Sequence, residues 1–173
     1  AHNNLGVILH KQGEFEKAIA AYHQAIEISP DNSEAYNNLG ASLHAQGDLE
    51  KSVWAYNQAI IINPQFAEGH KNLGMLLLQK GDFEKGWELC EWRWLCEDFP
   101  FEHRNFPQPV WDGSYLKGRS IVVWAEQGVG DEIMFTSILT DLLQLEAEIM
   151  VECDLRLVTL FQRSFPNIQF FPR

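Results

Sequence analysis

Two sets of polar residues in this chain have the chemistry to bind or transform a ligand. The first is a row of asparagines, Asn4, Asn38 and Asn72, which recur at one fixed interval. A carboxamide donates and accepts hydrogen bonds at once, so such a row suits the backbone of an extended peptide. The second set is acidic and surrounds a glycine-rich turn between Glu126 and Asp131, where a carboxylate is placed to accept a proton.

A sequence repeat with a period of about 34 residues carries the asparagine row. Its most complete copy runs from Ser33 to Phe66, and each copy contains the tripeptide Asn-Leu-Gly. Apolar residues recur at helical spacing in two blocks, which are separated by a glycine followed by an acid. In the first two copies the second block ends before a proline, Pro30 or Pro64. This periodicity predicts an α-solenoid of helix-turn-helix units over residues 1–98, the first unit truncated at its start.

Small residues twelve positions apart, such as Gly40 with Ser52 and Gly74 with Gly86, predict closely packed helix pairs. The units resemble the tetratricopeptide repeat (TPR). The second unit matches its pattern at Tyr36, Leu39, Gly40, Gly47, Tyr56, Ala59 and Pro64, and the first at Leu5, Gly6, Gly13, Ala18, Tyr22, Ala25 and Pro30. The third keeps Leu73, Gly74 and Gly81, then departs from the pattern at Cys90, Arg93 and Asp98.

The TPR resemblance implies a protein-interaction scaffold, in which the first helices line a groove for a peptide or a partner protein. The asparagine row is similar to the one that lines the TPR groove of the protein O-GlcNAc transferases. The alternative is that these asparagines tie neighbouring helices together. Three amide contacts at about 0.5–1.5 kcal/mol each predict weak binding. We expect the groove to be lined by Asn3, Asn4, Val7, His10, Asn37, Asn38, Ala41, His44, Lys71, Asn72, Met75 and Leu78.

The histidines and cysteines predict neither a metal site nor disulfide bonds. His10 and His44 are one repeat apart, but leucine stands at the third equivalent position, Leu78. The remaining histidines have no carboxylate or thiolate at ligand spacing, so we expect no metal. The three cysteines form no C-x-x-C pair and are odd in number. Free thiols in a reducing compartment, the cytoplasm, fit that usage best.

Composition excludes several classes of partner. The net charge is −11 with 46% apolar residues, so the chain has a normal core composition and no excess of basic residues to bind nucleic acid. It contains no apolar run of about 20 residues, so no membrane span is predicted, and no signal peptide opens it. The chain begins within a repeat, so we expect it to be a fragment of a longer protein.

Residues 86–118, at the end of the repeats, predict a rigid junction. Trp87, Trp92 and Trp94 lie within a predicted helix, and their density indicates a core between two domains. Prolines and aromatic residues continue through residues 99–118, which predicts an extended strap docked on that junction. Two turns are expected in it, at Asp112-Gly113 and Lys117-Gly118.

Residues 119–173 change to alternating short apolar runs and amphipathic segments. The predicted order is strand, helix, strand, helix, strand, a partial α/β Rossmann-like (βαβαβ) lobe. The strands are Ser120–Ala125, Ala147–Cys153 and Ile168–Phe171, and the helices are Asp131–Gln144 and Leu155–Ser164. Such a half-sheet leaves one edge unpaired, through which we expect homo-oligomers.

The turn after the first strand is the predicted ligand loop of this lobe. Gly128 and Gly130 lie at the carboxyl end of the strand, where open α/β sheets bind ligands. Ile133 stands where a dinucleotide fingerprint has its third glycine, and no Walker lysine is present. The carboxylates of Glu126, Asp131 and Glu132 would also repel a diphosphate. A neutral, hydroxyl-rich ligand therefore fits better than a nicotinamide cofactor.

A second resemblance covers residues 106–173. The run P-x-W-D-G-x-x-L-x-G, followed by VVWAEQGVGDEIMF, resembles bacterial TPR-linked glycosyltransferases whose GT-B domain is similar to the heptosyltransferases. The resemblance implies that Asp131 is the base toward an acceptor hydroxyl and that a longer parent uses a nucleotide sugar. Helix capping is the alternative role for Asp131. Most of that family's sugar-nucleotide site lies in a second lobe, so we expect this chain by itself to be inactive and to hold no cofactor.

Overall fold

The computed structural model describes residues 1–100, 104, 106–126 and 128–173. The chain divides after Pro100 into two compact units. The division falls two residues after the predicted end of the repeats.

The N-terminal unit is a row of helix pairs, so the predicted helical solenoid is confirmed. Within each pair the two helices pack together, and the second helix of a pair also packs against the first helix of the next. None of the described helices is long and apolar enough to cross a bilayer. The pairs are α1 (His2–Lys11) with α2 (Phe15–Ile28), α3 (Ser33–Gln46) with α4 (Leu49–Ile62), and α5 (Ala67–Gln79) with α6 (Phe83–Cys90).

Turns and caps lie where the sequence predicts them. Gly47 ends α3 with φ of 90°, a left-handed conformation that favours glycine. Asp48 then caps α4, because its Oδ1 accepts a hydrogen bond from Lys51 N at 3.2 Å. α4 ends at Ile62, immediately before Asn63 and Pro64.

Small residues allow the paired helices to approach, but the third pair does so differently. Ser52 Oγ donates to the carbonyl oxygen of Gly40 at 2.8 Å in the second pair. A Cβ atom at Gly40 would lie 2.7 Å from the ring of Tyr56. In the third pair a Cβ at Gly74 would instead lie 2.8 Å from the backbone nitrogen of Cys90. The departure from an aromatic residue at Cys90 therefore replaces a ring contact with a backbone contact.

The tryptophan-rich segment does not form one helix, so that prediction is wrong. α6 ends at Cys90, and Glu91–Leu95 is a 3₁₀ helix. Trp92 stacks on His70 with ring centroids 3.9 Å apart, and Trp94 packs edge-on against Phe99 at 5.0 Å. These two side chains therefore pack within the N-terminal unit, whereas Trp87 on α6 is 53% exposed.

Part of the predicted strap, residues 101–103 and 105, lies outside the described residues. The two turns expected in its later part are observed. Gly113 and Gly118 have φ of 85° and 71°. Asp112 Oδ1 accepts from Ser114 N at 2.9 Å, which closes the first turn.

A three-stranded parallel sheet organises the C-terminal unit. Its order is β1-β2-β3, so β1 and β3 are both edge strands among the described residues, where one open edge was expected. Buried residues of the helices and strands form one core, among them Leu139, Leu142, Phe161, Val151 and Phe170. The strands are β1 (Ser120–Trp124), β2 (Glu148–Cys153) and β3 (Gln169–Pro172), and the helices are α7 (Val129–Phe135), α8 (Ile138–Leu142) and α9 (Leu155–Ser164).

The first helix of this unit is broken, which corrects the prediction of one helix over Asp131–Gln144. The break falls at two hydroxyl residues between α7 and α8. Thr136 Oγ1 donates to the carbonyl oxygen of Ile133 at 2.6 Å, and Ser137 Oγ donates to that of Met134 at 3.3 Å. Such side-chain bonds compete with the regular backbone bonds of a helix.

We expect the C-terminal unit to lose stability at alkaline pH, because the thiol of Cys153 is buried in it. The side chain is 1% exposed at the end of β2. Burial, with smaller contributions from Glu132, Asp154 and Glu152, raises its pKa from 9.0 to about 11. The folded unit therefore holds the thiol proton more tightly, and this stabilisation is complete below pH 9 and lost as pH rises toward 11.

Chemical denaturation at pH 8, 9, 10 and 11 measures this loss, with hydrogen exchange of β2 as the local readout. A Cys153→Ala variant is the control, and its stability should fall less over the same interval. Equal slopes for the two proteins would remove Cys153 as the cause.

Candidate functional site

The predicted groove residues lie on α1, α3 and α5, and the asparagines among them bond one repeat to the next. Asn38 Nδ2 donates to Asn3 Oδ1 at 3.1 Å. Asn72 Nδ2 donates to Asn37 Oδ1 at 2.9 Å. Each bond joins residues 35 apart, so the first asparagine of one unit meets the second asparagine position of the next. The structure thus supports the tying role, which was the alternative to ligand binding.

These bonds leave some hydrogen-bond donors and acceptors of the asparagine amides unused. A carboxamide offers two N–H donors and two acceptor lone pairs, and each inter-repeat bond uses one of them on each side. Asn3, Asn38 and Asn72 are partly exposed, whereas Asn37 is only 8% exposed. Asn4 is exposed on α1. The row therefore keeps hydrogen-bonding capacity toward solvent while its side chains are held in place.

The two histidines of the predicted groove also join neighbouring repeats. His10 Nδ1 lies 2.7 Å from Ser42 Oγ, and His44 Nε2 lies 2.6 Å from Gln79 Oε1. Burial raises the pKa of Tyr22, and a hydrogen bond with Ser42 offsets part of that rise. His10, Ser42 and Tyr22 thus connect the first two repeats.

The third repeat changes the character of this face. Lys71 takes the place of the first asparagine, and its Nζ lies 3.5 Å from Asp98 Oδ1. Met75 is 60% exposed, while its equivalents Val7 and Ala41 are partly buried. The face therefore runs from a polar row to an exposed methionine beside an ion pair.

One group of side chains has donors suited to a cation. Atoms of Glu68, Cys96 and Asp98 lie within 4.8 Å of one another. The ammonium of Lys71 already pairs with Asp98, and burial raises the pKa of Cys96, which keeps its thiol protonated. A lysine thus supplies the positive charge in this group.

Residues of the predicted ligand loop lie at the carboxyl end of β1. Glu126 and Asp131 are partly buried, and Gly128 and Gly130 are exposed. Gln127 lies outside the described residues. Gly128 is the N-cap of α7, and no described side chain forms a capping bond there. The capping role considered for Asp131 is therefore not observed.

The buried carboxylate of this region is Glu132, which the sequence reasoning placed only among repelling charges. Its residue is 9% exposed. Oε2 accepts a hydrogen bond from Asp154 N at 2.7 Å, just beyond β2. Oε1 lies 3.5 Å from Arg173 Nη2, beyond β3, and Arg173 Nη1 donates to Ala125 O beyond β1 at 3.3 Å. Glu132 and Arg173 thus connect the carboxyl ends of the three strands.

An ion pair between Asp154 and Arg156 lies at the same edge of the sheet. Asp154 accepts two hydrogen bonds from the Arg156 guanidinium, at 2.8 and 2.9 Å. These bonds hold the pKa of Asp154 well below its usual range. The edge therefore carries fixed charges of both signs beside the exposed glycines.

The TPR repeat family model matches residues 6–47 and 42–81. Protein FlbA of Caulobacter vibrioides is 31% identical over 88 residues, which are 49% of this chain and 15% of FlbA. The chain therefore spans only a small part of that relative's length.

Several solved structures share the helical fold of about half of this chain. The Sgt2 TPR domain from Aspergillus fumigatus has a TM-score of 0.51 and 26% identity, covering 53% of this chain and 60% of that one. MamA has a TM-score of 0.50 and 25% identity, covering 53% of each chain. The second TPR of Spaghetti (RPAP3), bound to the HSP90 peptide SRMEEVD, has a TM-score of 0.51 at 19% identity, covering 53% and 84%. Residues 6–81 of the chain therefore match the TPR repeat in sequence, and the N-terminal unit has the TPR helical fold.

Proposed function

We propose that the N-terminal unit is a protein-interaction scaffold that binds an extended peptide on the face of α1, α3 and α5. The observation that carries this proposal is the row of asparagines hydrogen-bonded from repeat to repeat. The row presents amides at a regular spacing, and a peptide backbone presents donors and acceptors that match them.

The inter-repeat bonds favour binding because they fix the amides before a peptide arrives. Asn38 is held by Asn3, and Asn72 by Asn37. Side chains that are already ordered lose less conformational freedom on binding. The same bonds that join the repeats therefore reduce the entropic cost of recognition.

The relatives support a scaffold without defining its ligand. The RPAP3 repeat, which carries an HSP90 peptide, shares only the fold with this chain. We also propose a cytoplasmic location, which the three free, buried cysteines support because a reducing compartment keeps thiols unpaired.

The proposal predicts that removing a row asparagine weakens peptide binding. A phage-displayed random peptide library, panned on the chain, supplies the peptide, and fluorescence polarisation measures its affinity. Asn38→Ala and Asn72→Ala should each weaken binding by up to about tenfold, because each loses a peptide contact and a pre-ordered amide.

Gln24→Ala is the matched control, since it removes an exposed carboxamide on α2, away from this face. It should bind like the unchanged chain. A library that yields no binding peptide, or row variants with unchanged affinity, would contradict the proposed groove.

We propose as a second function that the C-terminal unit begins a GT-B lobe in a longer glycosyltransferase. The parallel order β1-β2-β3 is that of a Rossmann-type half-sheet, which supports this assignment. The glycine-rich turn lies at the carboxyl end of β1, and Asp131 beside it is partly exposed. There Asp131 would accept the proton of the acceptor hydroxyl, with a nucleotide sugar as donor.

This second function is tested in a longer protein that contains the chain. Transfer from a panel of nucleotide sugars is measured before and after Asp131→Asn, which should keep the fold and lose the transfer. The chain of 173 residues alone should transfer no sugar. Transfer by the isolated chain, or an unchanged rate in the Asp131→Asn protein, would contradict the assignment.

A further inference from the structure

A cavity of about 370 Å³ opens between the second and third repeats. Its walls come from α4, α5 and α6, all within the N-terminal unit. Ligand pockets typically have volumes of about 300–1,000 Å³, a mostly apolar lining and a few polar groups. The apolar lining here consists of Val53, Ile60, Leu73, Leu77 and Leu89.

Two charged residues at this cavity lack the partners that their equivalents have. In the second repeat Asp48 caps its helix and also pairs with the ammonium of Lys51 at 2.6 Å. Asp82 and Lys85 occupy the same positions in the third repeat and line the cavity. Among the described residues, Asp82 forms no capping bond, and no ion pair is found for it or for Lys85.

In the first repeat Glu14 and Lys17 also form an ion pair, although Glu14 makes no capping bond. Among the described residues, the open pair therefore occurs in the third repeat and not in the other two. Besides Asn57 and the two charged residues, the lining contains one more polar residue, His70. Its Nε2 lies 3.0 Å from Pro64 O, while its Nδ1 is buried and has no hydrogen-bond partner among the described residues.

The cavity is separate from the row of asparagines. α5 turns by about 100° per residue, so His70, Leu73 and Leu77 share one face of it. Lys71, Met75 and Leu78, the groove positions of this helix, share another. An occupant of the cavity would therefore not compete with a peptide on the α1, α3 and α5 face.

We propose that this cavity binds a leucine-type side chain of a second peptide segment. The apolar lining accepts the side chain. The carboxylate of Asp82 accepts a hydrogen bond from the backbone N–H of the segment, and the ammonium of Lys85 donates to its carbonyl oxygen. A peptide unit supplies both groups beside its side chain, which matches one acceptor and one donor on the cavity wall.

The smallest probe with this chemistry is N-acetyl-leucinamide, titrated into the full chain labelled with ¹⁵N. Backbone amide shifts should change saturably at residues of α4, α5 and α6 that line the cavity, with a millimolar Kd. N-acetyl-glycinamide has the same peptide groups without the side chain and should cause no saturable change. Amides of Asn3, Asn37 and Asn38 should not shift with either probe.

Two substitutions, one at exposed Lys85 and one at partly buried Asp82, test the polar contacts. Lys85→Met and Asp82→Asn should each weaken binding of N-acetyl-leucinamide by about tenfold, because each removes a charge-assisted bond. Asp82→Asn keeps a residue that favours a helix N-cap, so α6 should stay folded. Lys51→Met is the control in the second repeat and should leave the affinity unchanged.

Shifts confined to the α1, α3 and α5 face, or equal responses to both probes, would overturn the proposal. So would unchanged affinity in both Lys85→Met and Asp82→Asn when their spectra show folded protein. These outcomes concern residues outside the asparagine row. They would therefore not contradict the proposed groove, which has its own test.

Discussion

Gly74→Ala is expected to destabilise the N-terminal unit by about 2 kcal/mol, because the added methyl group overpacks the contact between α5 and α6. The added Cβ would lie 2.8 Å from Cys90 N and 2.9 Å from Gly86 O. Both are backbone atoms of α6, so relief requires that the helix itself moves away from α5. Because the obstacle is backbone, the cost should lie at the upper end of the usual range, about 3 kcal/mol, and alanine returns about 1 kcal/mol of helix propensity, which leaves about 2 kcal/mol.

Gly40→Ala should cost less, although its added Cβ would lie as close to a neighbour. The obstacle there is the ring of Tyr56, at 2.7 Å, and a side chain has more freedom to shift than a backbone. Tyr56→Leu in the Gly40→Ala background should therefore recover stability relative to the sum of the two changes. Cys90→Ala should recover little in the Gly74→Ala background, because the helix backbone remains in place.

Urea unfolding followed by circular dichroism measures these differences. Met75→Ala is the control on the same helix, since Met75 is 60% exposed. It should change stability by less than about 0.5 kcal/mol. Equal losses for Gly74→Ala and Gly40→Ala, with equal recovery in the double variants, would show that the obstacle at Gly74 is not the backbone.

The repeats could be predicted from the sequence because each unit has a local pattern of its own and this pattern occurs three times. Glycine at position 47 and aspartate at 48 require only a turn and a cap, both of which the structure contains. The bonds of the asparagine row are harder to foresee. They join Asn3 to Asn38 and Asn37 to Asn72, so they depend on how neighbouring helices align. The only sign of these bonds in the sequence was that the bonded asparagines are one repeat plus one residue apart.

The errors in the C-terminal unit have a different origin. Apolar spacing over residues 131–144 is typical of one helix, but the hydroxyls of Thr136 and Ser137 bond to carbonyl groups three residues earlier and end α7. Periodicity does not detect such bonds. The tryptophan segment failed similarly, because stacking of Trp92 on His70 is a tertiary contact made beyond the end of α6.

Glu132 was missed because adjacent acids look alike in a sequence. Asp131 and Glu132 follow the same turn, and the resemblance to a glycosyltransferase motif points at the first of them. One signal separates them: Glu132 follows Val129 by three residues, so the two share a helix face, and Val129 packs on the core. Glu132, which connects the strand ends, is thus a different residue from Asp131, which is proposed for proton transfer.

Glu132→Ala is expected to destabilise the C-terminal unit by about 2 kcal/mol, because it removes a charged hydrogen-bond acceptor from a buried site. The change leaves the N–H of Asp154 without the acceptor it now has at 2.7 Å. It also removes the carboxylate that lies 3.5 Å from the Arg173 guanidinium. Hydrogen bonds to charged groups contribute about 1.5–3 kcal/mol, so this loss is large for a single side chain. Glu132→Gln keeps an acceptor without the charge and should fall between Glu132→Ala and the unchanged chain.

Amide hydrogen exchange in β2, residues 148–153, is the readout, because it reports opening of this unit by itself. A loss of about 2 kcal/mol corresponds to exchange about 30-fold faster in Glu132→Ala. Asp131→Ala is the matched control, since it removes the adjacent carboxylate, which is partly exposed and forms no hydrogen bond with the other described residues. Its exchange should change by less than about threefold. If both variants exchange alike, the carboxylate of Glu132 does not hold the strand ends. If they differ as expected, loss of sugar transfer by an Asp131 variant of a longer protein reports on chemistry and not on a collapsed sheet.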